Sequence, residues 1–435
     1  MDQKKQILEE FDPLNKDSEA SLEPKTLAHV IEEDDEPLYD FQLFVKQMKD
    51  PRADPLMRYT RSFLSNFATQ RKLWTVKEQV KLISDFKIFI YDKFTVYEPF
   101  KSLDLPKLRN AKEGIEKLIM GKLYTRCFSP SLQESVSQLD NEHQLDLSQD
   151  DQLRSKILEY RFISPTNLEI PGKILPKLDT FVKLSGKELC KINNYRAPRD
   201  KMVCILNSCK VIFGLLKHTK LAHGGADNFI PLLIYTILKS EIQSLVSNVN
   251  YIERFRLAEF LQGESSYYLS SLQGAINFIL DMDEKSLKLE DTHEFEERYA
   301  QNKQSLEQEI QLELKKTSAS TKKIEKVHSP SPSEYLLRPL DEAANSMFSK
   351  FSELLSSPLN KPSPTGYDTG SCSDDIDDST AAALAQKMER EEHKNTSETL
   401  QAMFPDLDKD VIEDVCIAKK YRLGVCVDAL LALCN

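Results

Sequence analysis

One stretch, residues 224–280, holds the side chains best placed to do chemistry. It opens Gly224-Gly225-Ala226-Asp227-Asn228-Phe229-Ile230-Pro231 and later runs Gly263-Glu264-Ser265-Ser266-Tyr267-Tyr268-Leu269-Ser270-Ser271-Leu272. Asp227 stands on a glycine-led turn ahead of an apolar helix, and two readings of it are open. It can cap the helix by accepting hydrogen bonds from first-turn amides. Alternatively Asn228 caps, Pro231 sits at or near the first helical position, and the Asp227 carboxylate projects. A projecting carboxylate acts electrostatically, by pairing with a partner's cation or repelling its anion. Asp227 and Glu264 are disfavoured as a hydrolytic acid pair.

The second element here is a helix from about 265 to 280. Tyr268, Leu272, Ala275, Ile276 and Ile279 recur as one buried stripe. The other face carries Tyr267, Ser270, Ser271, Gly274 and Asn277, nearly all small or polar. Small residues make a flat docking surface, and a tyrosine on it is a rigid anchor of the kind enriched at interface hot spots. Tyr267 and Ser270 lie one turn apart and present hydroxyls to one side. The competing reading packs Tyr267 against a core edge or under the linker. Between these elements, Glu253 and Arg256 of Tyr251-Ile252-Glu253-Arg254-Phe255-Arg256 read as a solvated helical face, with internal pairing or a partner contact as the alternative.

Other chemistries lack residues. Neither phosphate-binding glycine motif occurs, so the chain has no visible nucleotide site of its own. The seven histidines are dispersed without metal spacing, and no Ser/His/Asp or Cys/His set supports covalent catalysis. A net charge of −11 argues against broad nucleic-acid binding. The eight cysteines form no C-x-x-C pair and read as buried, reduced thiols. The start MDQKKQILEE has no apolar signal region, and no apolar run reaches about 18 residues. The expectation is a cytoplasmic protein, with any membrane attachment peripheral.

The 435 residues, with only 12 glycines and 40% hydrophobic content, point to an all-α fold in several units. Residues 1–37 read as an acidic disordered tail and 38–130 as a bundle of about four helices, with periodic runs over 75–94 and 108–123. Residues 131–289 read as a compact, layered all-helical domain broken at prolines and glycines. Residues 290–394 read as a charged, solvated helix and a disordered linker. That linker carries serine-prolines at 329–333, candidate phosphorylation sites, and a short helix within 335–354. Residues 395–435 read as three short helices, the first opened by a capping-box spacing at Asn395 and Glu398 and stopped at Phe404-Pro405.

The run Asp227-Asn-Phe-Ile-Pro-Leu-Leu-Ile-Tyr, then Ser-Asn-Val-Asn-Tyr-Ile-Glu-Arg-Phe, then Gly263-Glu-Ser-Ser-Tyr-Tyr-Leu-Ser-Ser-Leu resembles the Vps-nine domain, over roughly 110–285. Met403-Phe404-Pro405 with Leu430-Leu431 resembles the CUE domain, a three-helix ubiquitin binder. The first resemblance implies a guanine-nucleotide exchange factor for Rab-five-subfamily GTPases, working without a cofactor or metal and without covalent chemistry. It implies that Asp227 is the inserted acidic finger, Pro231 the helix-positioning proline and Tyr267 the tyrosine meeting the GTPase switch region. Ser270 stands where the family has threonine, keeping the hydroxyl and losing a methyl. Glu264 takes the acidic position after the glycine, and Ser271 and Gly274 are further GTPase-facing positions. The second resemblance implies that Met403, Phe404, Pro405, Leu430 and Leu431 form one exposed apolar patch for ubiquitin; the competing reading makes them the core of the little bundle, and some of them surely are. The partners implied are a Rab-five-type GTPase, ubiquitin and ubiquitylated cargo, with peripheral recruitment to endosomes in Golgi-to-endosome and vacuolar transport. A different class remains open: a non-catalytic ubiquitin-binding adaptor on a helical scaffold. A third possibility has the C-terminal domain masking the 227–270 surface until ubiquitin binds.

Overall fold

The computed structural model describes residues 39–69, 73–132, 139–221, 225–320 and 378–433. Among these residues there are fourteen α-helices and no strand, the all-α fold that the composition implies. The acidic tail, the serine-prolines and the expected helix at 335–354 lie outside the described residues.

The first four helices, α1 (Phe41–Met48), α2 (Asp54–Thr69), α3 (Val76–Phe94) and α4 (Leu105–Cys127), form the bundle. Local chemistry sets their starts. Thr75 and Glu78 close a capping box at α3, and Asp104 caps α4 by accepting from the Lys107 amide, with Pro106 in the first turn. The core is aromatic: Phe63 stacks on Phe86 with ring centroids 4.0 Å apart, and Phe94 on Phe100 at 4.5 Å. Gly114 lets the Phe44 ring lie on the α4 backbone, since a Cβ there would meet Phe44 Cγ at 2.2 Å.

The second block comprises α5 (Asn141–Tyr160), α6 (Leu175–Cys190), α7 (Pro198–His218), α8 (Gly225–Leu238), α9 (Leu245–Phe255) and α10 (Glu264–Asp281). α7 is the central helix, buried on nearly every side. α11 (Thr292–Ser320) is charged as expected, yet it is not wholly solvated. Phe295 is buried, the Asn302 amide donates to the Leu158 and Glu159 carbonyls, and Arg161 pairs with Glu309.

The bundle and the second block share a polar seam, and it corrects the reading of residues 251–256 as a solvated face. Only Glu253 is exposed. The Arg256 side chain is 7% exposed and reaches Glu113 at 2.5 and 2.6 Å and Glu116 at 2.8 Å, both on α4. Lys87 of α3 donates to Glu116 at 2.9 Å and to the Phe255 carbonyl. Burial alone raises the Glu116 carboxyl, but Lys87 and Arg256 outweigh it and hold it below its ordinary value. Tyr251 and Phe255 enter the bundle's core beside this network. The helix therefore faces another domain's carboxylates, which its own periodicity does not reveal.

A second buried chain crosses the same seam. Ser129 donates to Asp146 at 2.6 Å, and Arg254 grips Asp146 at 2.5 and 2.9 Å. With the Ser129 hydrogen committed, His143 Nδ1–H donates to Ser129 Oγ at 2.8 Å, and Nε2 lies 3.1 Å from the Gln79 amide nitrogen, which donates to the Trp74 and Arg126 carbonyls. Burial is the largest cause pushing the His143 pKa below the usual 6.5, which favours the neutral ring. The unfolded chain binds that proton more readily, so stability is present above about pH 6.5 and lost as pH falls through the depressed folded value. Urea midpoints at pH 7.5 and 5.5 should differ, with the lower stability at pH 5.5. His143→Gln should shrink that difference; a difference unchanged by the substitution would locate the acid sensitivity elsewhere.

The chain ends in α12 (Asp378–Met403), α13 (Lys409–Ala418) and α14 (Leu423–Leu433). The expected helix start at Asn395 is corrected. α12 runs unbroken from Asp378, Asn395 lies well inside it, and its side-chain oxygen accepts from Lys187 of α6 at 3.4 Å. The segment 378–394 is accordingly helix and not disordered linker. Phe404-Pro405 does end α12. These three helices share one continuous apolar core with α6 and α7. Among the described residues, no helix is long and apolar enough to cross a membrane.

Candidate functional site

The site is built on the α8 and α10 pair. α8 opens at Gly225, whose φ of +51° is a left-handed conformation that glycine adopts without strain. Asp227 falls in the first turn, exposed, and among the described residues no hydrogen bond or ion pair engages it. Asn228 instead ties the turn down, donating to the Leu221 carbonyl at 3.0 Å. Asp227 thus lies inside the helix with its side chain in solvent, which is not the geometry of a cap. Pro231 is deeper than a first-turn position; it is inside the helix and half-buried. Lacking an N–H, it cannot bond the carbonyl four residues earlier, that of Asp227.

α10 opens at Gly263, with φ +56°, and places Glu264 exposed in its first turn. Glu264 accepts from the Tyr268 hydroxyl at 2.9 Å and lies 3.8 Å from Lys210 Nζ. Ser270, Gly274 and Asn277 are exposed on one face, together with Ser266. Tyr267 is not on that face. It is 3% exposed, its ring stacked on Phe229 of α8 at 6.1 Å and against Tyr268 at 5.5 Å. Ser271 is buried as well. The core-edge reading of Tyr267 therefore describes its packing. α8 lies over that side of α10, so the open strip excludes Tyr267 and Ser271.

The result is an exposed carboxylate at the start of α8 and an open strip of serine, glycine and asparagine on α10, the two helices joined by an aromatic floor of Phe213, Phe229, Tyr267 and Tyr268. Such a surface suits docking with electrostatic action at one point. A cleft of about 340 Å³ lies elsewhere, lined by Tyr39, Arg109, Glu113, Arg199 and Arg422, and holds none of the candidate residues.

The C-terminal candidates are arranged differently from expectation. Pro405 is exposed, but Met403, Phe404, Leu430 and Leu431 are 0, 2, 0 and 6% exposed. The exposed patch is corrected to a covered one: α7 lies against Met403 and Phe404, and Leu430 and Leu431 are buried in the apolar core that the three C-terminal helices share with it. Phe404 stacks on His218 of α7 at 6.2 Å, and Met403 lies over Gly214. Lys210, Gly214 and His218 are thus interface residues that sequence reasoning missed. A glycine within the apolar run Val211-Ile212-Phe213-Gly214-Leu215-Leu216 was the available signal, since mid-helix glycine often marks close approach.

Comparison with known proteins settles the family. Residues 182–284 match the vacuolar sorting protein 9 (VPS9) domain, residues 395–434 the CUE domain, and residues 58–124 a domain of unknown function. Vacuolar protein sorting-associated protein vps901 of Schizosaccharomyces pombe is 33% identical over 92% of this chain and 82% of its own length. The chain belongs to the Vps9 family. Other Vps9 relatives match over a shorter span. Vacuolar protein sorting-associated protein 9A of Arabidopsis thaliana is 34% identical over 58% of this chain and 46% of its own length. The Rab5 GDP/GTP exchange factor of Homo sapiens is 29% identical over 54% of this chain and 45% of its own length. The VPS9 match contains Asp227, Pro231, Glu264, Tyr267, Ser270, Ser271 and Gly274; the CUE match contains all five C-terminal candidates.

Proposed function

We propose that the chain is a guanine-nucleotide exchange factor for a Rab5-type GTPase, with ubiquitin binding through its CUE domain, acting in Golgi-to-endosome and vacuolar transport. The observation that carries this is the exposed Asp227 carboxylate, engaged by no partner among the described residues, at the start of the helix that packs against α10 and its open strip. A GTPase of this kind holds its nucleotide through magnesium and a phosphate-loop lysine. Asp227, inserted there, pairs with the lysine, repels the phosphates and disfavours the metal. Pro231, inside α8, leaves the Asp227 carbonyl without its helical donor and so shapes the backbone that carries the carboxylate. Ser270 and Gly274 receive the switch segments, Glu264 and Ser271 flank them, and Tyr267 acts from below by fixing α8 against α10. A ten-thousand-fold shift in nucleotide affinity needs only about 5.5 kcal/mol of differential binding. No covalent bond forms or breaks, and the cellular excess of GTP sets direction.

In this reading the protein works in the cytoplasm and reaches endosomes peripherally, concentrated by ubiquitylated cargo. A CUE-sized ubiquitin interface is small and weak, and many ubiquitins on one membrane compensate through avidity. The test is release of fluorescent GDP from a Rab5-type GTPase by the full chain and by Gly274→Arg. A Cβ at Gly274 meets nothing within 4 Å, and arginine favours helix over glycine, so this variant keeps its fold while blocking the strip. Acceleration by wild type and its loss in the variant, at equal melting temperature, support exchange through this face. No acceleration by wild type supports the ubiquitin-binding adaptor instead.

A further inference from the structure

We propose that α7 holds the ubiquitin-binding face of the CUE domain shut, so that ubiquitin must lift this domain off the exchange domain before it can bind. This rests on the reading of Met403, Phe404, Leu430 and Leu431 as ubiquitin contacts. Those four side chains are almost wholly buried, and a side chain packed in an intramolecular core is unavailable to a second protein.

The seat is specific. A Cβ at Gly214 would lie 2.9 Å from Met403 Cε and 3.6 Å from Val427 Cγ1, so α14 and the end of α12 rest on bare helix backbone. Phe404 stacks on His218, one turn further along α7. Lys210 closes the other side, its Nζ 2.6 Å from Asp428, and Gly424 lies close enough that a Cβ would touch Lys210 Cδ at 2.8 Å. Lys187 reaching Asn395 extends the seam to α6.

The exchange face is not what is covered. Asp227, Ser270 and Gly274 are exposed with the CUE domain seated. The masking considered for residues 227–270 is therefore replaced by the converse arrangement: exchange open, ubiquitin reading closed. Seating and ubiquitin are competing occupants of one apolar face. Ubiquitin's apparent affinity falls by the fraction of molecules with the domain lifted. Dilute free ubiquitin is then ignored, whereas an array of ubiquitins on one membrane supplies the local concentration that lifts it.

The experiment titrates monoubiquitin against the full chain. Gly214→Leu puts a four-carbon side chain where the seat admits none; once the domain lifts, that side chain keeps Phe181 of α6 as an apolar neighbour at ordinary contact distance and suits helix better than glycine. Lys210→Glu opposes Asp428, and Glu264 beside it, and opens the seat while leaving the Gly214–Met403 contact itself unaltered. Circular dichroism checks that both remain helical, and amide exchange along α14 checks that the seat has opened. We expect Gly214→Leu to bind ubiquitin at least about ten-fold more tightly than wild type, and Lys210→Glu to lie between them. Affinities in the opened variants equal to or weaker than that of wild type would overturn the proposal and leave ubiquitin binding standing. Absence of binding in wild type and both opened variants would remove the ubiquitin assignment itself, and the proposal with it.

Discussion

Asp227→Ala is expected to slow GDP release from a Rab5-type GTPase by at least about a hundred-fold while leaving the fold unchanged. The structural half follows from exposure: among the described residues nothing engages the side chain, and alanine is a good helix former. The loss of an acidic group at a helix N-terminus costs stability by about 0.3–1 kcal/mol at most. The catalytic half follows from charge. A hundred-fold is about 2.7 kcal/mol of transition-state stabilisation, the scale of one charge-assisted contact in a water-excluded interface. Asp227→Asn separates charge from shape, because it keeps the volume and loses the anion. Stopped-flow fluorescence with melting curves for both variants makes the measurement. An asparagine variant at wild-type rate would refute the electrostatic role and leave only a steric one.

The largest effect on stability is expected from Glu116→Gln at the seam. Glu116 is fully buried and meets Lys87 at 2.9 Å, Arg256 at 2.8 Å and the Leu257 amide at 3.0 Å. Removing its charge strands buried Lys87 and leaves Arg256 with Glu113 alone. Breaking a buried pair from one side costs about 3–5 kcal/mol, a large share of an ordinary domain's 5–15. Chemical denaturation should show this loss, and the bundle's aromatic fluorescence should report it together with the helical signal. A loss below about 1 kcal/mol would mean that water relaxes into the seam, and the network would then be peripheral to stability.

Much of the fold was legible because a helix advertises its buried side locally. The stripe Tyr268, Leu272, Ala275, Ile276 and Ile279 gave α10 nearly residue for residue, and the periodic run over 75–94 gave α3. What failed depended on a second element. Tyr267 neighbours Tyr268 in sequence, and whether its flank is open depends on where α8 lies. Arg256 reads as solvated until Glu113 and Glu116 arrive from well over a hundred residues away. Asn395 has the spacing of a cap, yet the Ala, Gln, Lys and Glu before it contain no breaker, so the helix simply continues through it. Met403 and Phe404 carry the signature of an open patch, and only α7 decides that they are covered. Asp227 was left undecided because capping and projecting look alike in sequence; the helix boundary at Gly225 separates them.

The core shared by α6, α7 and the C-terminal helices has a thermal consequence. A three-helix unit this short has little interior of its own, and here part of its interior is supplied by α7, the spine of the neighbouring domain. Two units that share a helix do not melt as independent bodies, because unfolding either one strips apolar cover from the other. Heat should therefore take them apart in a single calorimetric peak, despite the long stretch of chain joining them in sequence.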